Sequence, residues 1–336
     1  MFLRQQRLLV FTMMVFLGSM LSSEGFCEDV IKAKLNNAYN PRHLSNLTAI
    51  KFAELAKEKT AGKLEIEVYS GGELYDRKQE MMALSTGAIQ MSAQNVIGLF
   101  DVSREYFVTF LPFLWSDYNS LRKLYETPEW KAVEVKLEKK AKIKILCKNA
   151  AGPGIVFNNK RAIKEPADLK GLKMRASSPA EKVTFEKSGA MVVTIPVAEL
   201  FSSLQSGMVD GGATSSDRFI MQGFMEIAKY SSSPVEAPFN LTDGWLIANS
   251  VWWESLPIDI RNTLEKEVFP AVEKYNSQLI EAADKEFVEK AKLEGVTVTT
   301  WNKDAMRSVS ELGWVALKKE IGEELYNKAM EVAGVK

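Results

Sequence analysis

Between Ala33 and Asp210 the chain alternates short apolar strand patterns with amphipathic helical ones, and that alternation restricts it to an α/β architecture. Ala33 to Asn36 reads as a first strand. Ser45 is placed to cap a helix whose apolar residues Ala49, Phe52, Ala53 and Ala56 fall at i, i+3, i+4 and i+7, with Gly62 just past its end. Leu64, Ile66 and Val68 alternate with Glu65 and Glu67, the pattern of a strand with one wet face. Gly71-Gly72 breaks the chain, Asp76 caps another helix, and Ala88 to Ala93 reads as the next strand. Thr127-Pro128 opens a helix in the favoured N-cap and N1 arrangement, ahead of a buried strand from Ile143 to Cys147. Strands joined through helices pair in parallel, so largely parallel sheets are expected.

Gly152-Pro153-Gly154 follows as a break suited to a crossing between lobes, and a chain of 336 residues more often divides than grows one core. The same logic then repeats. Leu172 to Arg175 is strand-like, Ser178-Pro179 opens a helix that ends at Gly189, and Met191 to Ile195 returns as a strand. Val197 to Ser206 reads as a short helix stopped by Gly207, with another strand beginning at Met208 to Asp210. From Pro257 a long helical pattern carries Ile260, Leu264, Val268 and Ala271 on one side. Pro270 interrupts it by removing a backbone donor, so a kink is expected there.

At the N-terminus, Arg4 and Arg7 precede the apolar run Leu8 to Leu21, followed by Ser22, Ser23 and Gly25. Residues 1–27 therefore read as a secretory signal peptide, cut between Gly25 and Glu28, with a single anchor helix as the alternative. An exported, periplasmic protein with no stable membrane insertion after cleavage is expected. Cys147 is then the one remaining cysteine, so no intrachain disulfide is available, and its apolar strand pattern marks it as a small buried hydrophobe. Lys plus Arg and Asp plus Glu both number 43, which leaves no basic field for nucleic acid.

Enzymatic signatures are sparse. His43 is the single histidine, which rules out a multi-histidine metal site, and no phosphate loop, dinucleotide loop or G-x-S-x-G turn occurs. His43 reads as a structural or pocket-wall residue after Pro41 rather than a general base. A non-enzymatic protein without cofactor or metal is expected, with an exported hydrolase as the alternative from another class.

One stretch is far more specific. Asp168-Leu169-Lys170-Gly171-Leu172-Lys173-Met174-Arg175 is followed by Ser188-Gly189-Ala190, Pro196-Val197-Ala198-Glu199-Leu200-Phe201 and Leu204-Gln205-Ser206-Gly207-Met208-Val209-Asp210-Gly211. This series resembles the solute-binding proteins of the TRAP (tripartite ATP-independent periplasmic) transporters, of the dicarboxylate-receptor type, with Phe201 in place of the usual tyrosine. Phe52-Ala53-Glu54, Leu111-Pro112-Phe113-Leu114, Glu226-Ile227-Ala228-Lys229-Tyr230 and Trp253-Glu254-Ser255-Leu256-Pro257 extend the resemblance over nearly the whole chain after the leader.

The resemblance implies a two-lobed periplasmic binding protein, with a cleft that closes on its ligand and a long kinked helix spanning both lobes. It implies lobe 1 at 28–150 plus about 241–280, and lobe 2 at 151–240 plus about 281–336. It also implies a small organic anion as ligand, and a small and a large membrane subunit as partners that use a sodium gradient. Arg175 matches the arginine that pairs with a ligand carboxylate, a role its planar two-pronged guanidinium suits. Thr214, Asn95, Asn37 and Tyr39 are the further ligand-binding candidates. Trp115 and Trp245 sit where they could line a cleft, though tryptophans in such apolar contexts more often belong to a core.

Two departures bear on the ligand. A second arginine that many relatives carry in a G-x-R segment is absent from Gly152-Pro153-Gly154-Ile155, and Val197 stands where phenylalanine is common. One arginine neutralises one charge, so a monocarboxylate is expected, with a sulfonate, a dicarboxylate, or service to a different importer or sensor as alternatives.

Overall fold

The computed structural model describes residues 30–196 and 199–335. The expected signal peptide and Val197 lie outside them. The first lobe begins with β1 (Ile31–Asn36), α1 (Leu44–Lys59), β2 (Leu64–Tyr69), α2 (Arg77–Thr86) and β3 (Met91–Asn95). Asp76 caps α2 as expected, accepting from the Lys78 and Gln79 N–H groups. The cap of α1 is His43 rather than Ser45: Nδ1 of the imidazole accepts from the Ser45 N–H at 3.1 Å. Strand β3 starts later than the apolar pattern suggested, because the loop through Ile89 is itself buried, and Asn95 becomes its last residue.

Helices α3 (Tyr118–Tyr125) and α4 (Pro128–Ala141), the latter capped by Thr127, lead into β4 (Ile143–Asn158). The expected break at Gly152-Pro153-Gly154 is instead the middle of this strand. Register shifts between Ala150 and Pro153 let β4 leave one sheet and enter the next without ending, as a bulge does when it bends a strand.

The second lobe contains β5 (Lys173–Arg175), α5 (Pro179–Lys187), β6 (Met191–Val193), α6 (Leu200–Gln205), β7 (Gly211–Ser215), α7 (Ser216–Met221) and β8 (Tyr230–Ser232). The strand expected at Met208 begins only at Gly211, since Asp210 is held in the turn by donating to Lys173 O. The chain returns through β9 (Leu241–Asn249), then α8 (Ser250–Ser255) and α9 (Ile258–Thr263). A π-helical turn at Leu264–Val268 joins α9 to α10 (Phe269–Leu293). Pro270, in the first turn of α10, has no N–H to give the preceding turn, and the interruption falls immediately before it. Phe269 and Val272, rather than Ala271, continue the buried stripe of Ile260, Leu264 and Val268. Strand β10 (Thr297–Thr299) and helices α11 (Lys303–Ile321) and α12 (Glu323–Val332) complete the chain.

Pairing is mixed rather than largely parallel. Strand β1 runs parallel to β2 and β3, and β5 runs parallel to β6 and β7. Between these groups β3–β9, β9–β4 and β4–β7 are all antiparallel, because β4 and β9 run in opposite senses along the seam of the two lobes. Strand β9 is buried on both faces, with Trp245 and Ile247 in one cluster and Leu246 and Ala248 in another. Leu246 and Ile247 each contribute about 1.5–3 kcal/mol by leaving water. Helix α10 braces the halves. Asn276 donates to Thr48 Oγ1 and Ala150 O and accepts from the Ala150 N–H, while the Ser216 hydroxyl of α7 donates to Asp284 at 3.3 Å.

The C-terminal helices fold back over the first half. Trp314, Leu317 and Ile321 of α11, with Leu325, Tyr326 and Ala329 of α12, share a core with Tyr106, Leu111 and Trp130, and the Trp314 indole donates to Pro112 O. Helix α11 packs on α5 as well. Among the described residues no helix is long and apolar enough to cross a membrane.

Candidate functional site

Strand β3 of the first lobe and the parallel pair β5 and β7 of the second run toward one seam from opposite sides and leave a crevice beyond their carboxyl ends. Asn95 closes β3, Arg175 closes β5 and Thr214 is the next-to-last residue of β7. All three line one small cavity of about 70 Å³ between the lobes. Arg175 reaches it by lying across Gly212, where an added Cβ would come within 3.2 Å of the arginine Cβ. Its Nη1 donates to Ala213 O at 3.2 Å and its Nε to Ile195 O at 3.4 Å, which holds the fork in place.

Apart from His43, the remaining wall is formed by residues that sequence reasoning missed. Arg77 at the start of α2 and Arg218 in α7 bring two more guanidiniums, and Asn240, Glu181 and Phe110 close the space. Arg218 sits four residues beyond Thr214, on the first turn after β7, which is the one sequence signal that could have found it. Asn240 precedes β9 and carries no such signal. Glu181 is fully buried, accepting from the Ser177 hydroxyl and from Asn240 Nδ2, and burial raises its pKa against the pull of Arg175. Burial likewise lowers the pKa of Arg175 and of Arg218. None of the three arginines forms an ion pair among the described residues. Asn95 Oδ1 and Thr214 Oγ1 are buried without a hydrogen-bond partner.

Asn37 does not join them. Its side chain accepts from the Tyr39 N–H at 2.9 Å and donates to Asn46 Oδ1 at 3.2 Å, an Asx turn that shapes the loop after β1 instead of facing the cavity. Tyr39 lines an adjoining outer pocket of about 260 Å³ with His43, Arg77 and Arg218. Its ring stacks on His43 at 4.2 Å, with the Arg77 guanidinium 5.0 Å and the Arg218 guanidinium 5.9 Å from its centre. Trp115 and Trp245 are core residues: the first donates to Val108 O, and the second packs edge-on against Tyr106, Tyr125 and Trp130.

His43 lines the cavity as a neutral imidazole, its pKa lowered to about 4 by burial and by the neighbouring arginines against the pull of Asp217. Nδ1 is occupied by the Ser45 N–H, so the ring has no basic nitrogen with which to activate a hydroxyl. The arrangement is built to hold a small anion rather than to transform it.

A cavity between two α/β lobes, lined by strand ends and cations without ion-pair partners, defines a two-lobed solute-binding protein. Residues 35–321 match the family model described as bacterial extracellular solute-binding protein, family 7 (DctP), and the chain belongs to that family. It is 31% identical over 248 residues, 73% of each chain, to the C4-dicarboxylate-binding periplasmic protein of Rhodobacter capsulatus. A TRAP periplasmic solute binding protein from Ochrobactrum anthropi superposes with a TM-score of 0.83 at 22% identity, covering 91% of this chain and 96% of the other. Another from Ralstonia eutropha, solved with bound (S)-2-acetolactate, superposes with a TM-score of 0.76 at 27% identity, covering 91% and 99%. These relatives are binding proteins, and the chain is by family a solute-binding protein, not an enzyme.

Proposed function

We propose that this chain is the periplasmic receptor of a TRAP transporter, exported by its N-terminal signal peptide, which closes on a small organic acid and delivers it to the two membrane subunits of a sodium-driven permease. The single observation that carries the choice of ligand is the wall of Arg77, Arg175 and Arg218, none paired with a carboxylate, around one cavity. Three partly buried guanidiniums around one cavity repel one another, and a bound anion relieves that repulsion. Closure follows because the ligand gains contacts from both lobes at once: Arg77 and Asn95 on one side, Arg175, Thr214 and Arg218 on the other.

The expectation of a monocarboxylate rested on Arg175 acting alone. Three arginines favour an acid with a second anionic or electron-rich group, such as a dicarboxylate or a hydroxy- or keto-acid. The dicarboxylate-binding relative and the acetolactate-bound structure support both forms. For the lobes we assign β1 to β3, β9 and the first half of β4 to lobe 1, and the rest of β4 through β8 to lobe 2. Helix α10 is the brace, β10 and much of α11 extend lobe 2 as expected for 281–336, through β8 and α5, and α12 packs on lobe 1 instead.

Calorimetric titration of the purified protein with succinate, (S)-2-acetolactate, pyruvate and methanesulfonate tests this. Saturable binding of at least one carboxylic acid is expected, succinate or acetolactate ahead of pyruvate. Binding of neutral or cationic solutes with no response to any of the acids would overturn it.

A further inference from the structure

Glu80 lies outside both pockets, fully buried beneath α2, three residues and one helical turn from Arg77. Three donors converge on its carboxylate. Asn36 Nδ2 at 2.9 Å and Ser92 Oγ at 2.8 Å reach Oε1, and Gln94 Nε2 at 2.8 Å reaches Oε2. Ser92 and Gln94 point the same way because they are two apart on β3. Asn36 is itself pinned between the backbone N–H and C=O of Tyr75.

Burial raises the Glu80 pKa to about 7 against these three donors, and above that pH the carboxylate only accepts, so Gln94 turns its NH₂ toward Glu80 and its oxygen away. That oxygen accepts the Tyr39 hydroxyl at 3.1 Å and the Asn95 N–H at 3.0 Å. With its one proton committed to Gln94, the Tyr39 oxygen offers lone pairs to Arg77 Nη2, which donates to it in a short hydrogen bond. Gly98 leaves the room Gln94 needs, since an added Cβ would fall 2.4 Å from the glutamine side chain. The polarity of every bond along the path follows from the acceptor at its far end.

We propose that Glu80 is a positioning residue that sets Arg77 in the ligand cavity through Gln94 and Tyr39. An amide at position 80 presents a donor where the carboxylate accepted. Gln94 then gains by flipping, Tyr39 turns its proton toward the guanidinium, and Arg77 loses its acceptor. The inference rests on the receptor reading only for its effect on affinity, because the placement of Arg77 is observable without ligand.

Crystal structures of the wild type and of Glu80→Gln, grown under one condition, test the placement directly. The Arg77 guanidinium is expected within hydrogen-bond reach of the Tyr39 oxygen in the first and displaced in the second; an unmoved Arg77 would overturn the proposal. In titrations with succinate, Glu80→Gln and Tyr39→Phe should each weaken binding about tenfold. Neither should weaken it further in an Arg77→Met background, and a full additional loss there would mean that Glu80 acts through something other than Arg77. If the amide variant does not fold, Tyr39→Phe, which removes one hydroxyl, carries both measurements. Failure of the wild type to bind any of the acids would count against the receptor reading, while the crystallographic comparison would still decide the role of Glu80.

Discussion

His43 Nε2 lies 3.5 Å from Asp217 Oδ2 across the seam between the lobes, both side chains only 4% exposed. Nδ1 accepts from the Ser45 N–H, so the ring proton sits on Nε2 and faces a carboxylate whose oxygens have no hydrogen-bond partner. The contact joins the cap of one helix to the first turn of another, far apart in the chain.

That contact has a pH signature. Burial holds the His43 pKa near 4, below its ordinary 6.5, so between those values the unfolded chain holds a proton that the folded protein does not. Its contribution to stability therefore falls as pH drops from 6.5 toward 4 and is constant above 6.5. His43→Asn keeps an oxygen to cap Ser45 and removes the titration. The difference between wild-type and variant urea midpoints should change across this window and be flat from pH 7 to 8. A constant difference from pH 4.5 to 8 would contradict the assignment.

Asp243 has the opposite sign. It is buried, accepts the Tyr125 hydroxyl, and burial raises its pKa to about 7 from 3.8. The folded carboxyl keeps a proton that the unfolded chain has lost, so its contribution is complete below 3.8 and declines as pH rises to 7. Asp243→Asn preserves an acceptor for Tyr125. It should gain on the wild type in denaturation midpoint between pH 5 and 8, and equal stability of the two at pH 8 would refute this.

Arg175→Ala should reduce succinate affinity by roughly ten- to a hundredfold, the loss of a charge-assisted bond, with a native circular dichroism spectrum. Arg175→Lys should recover only part of it, since an ammonium cannot present two parallel donors. Wild-type affinity in the alanine variant would remove Arg175 from the site.

Thr214 separates binding from folding most cleanly. Its hydroxyl is buried and unpartnered, so Thr214→Val should leave the unliganded melting temperature unchanged or higher. Acid binding should weaken about three- to tenfold at the same time. A fall in melting temperature without change in affinity would assign the hydroxyl to structure.

The amino-acid pattern carried much of the fold. Asp76, Thr127 and Ser178 cap the helices they announce, and the interruption ahead of Pro270 falls where its missing N–H requires one. Caps and proline effects are local, decided within one turn. Gly152-Pro153-Gly154 marked the crossing between the lobes but not its form: glycine and proline signal a local departure, and whether it ends a strand or bends it depends on partners that arrive later as β7 and β9.

The site divides along that line. Arg175, Asn95 and Thr214 were legible because the carboxyl ends of strands from the two lobes meet at one seam. Arg77 and Arg218 were not, since an arginine at a helix start looks the same whether it faces water or a cavity. The residue order by itself determined the α/β alternation, the family and one cavity-lining cation. The tertiary structure alone decided that three cations, drawn from both lobes, share one space, because charge at a point in space is a sum over residues that the chain keeps far apart.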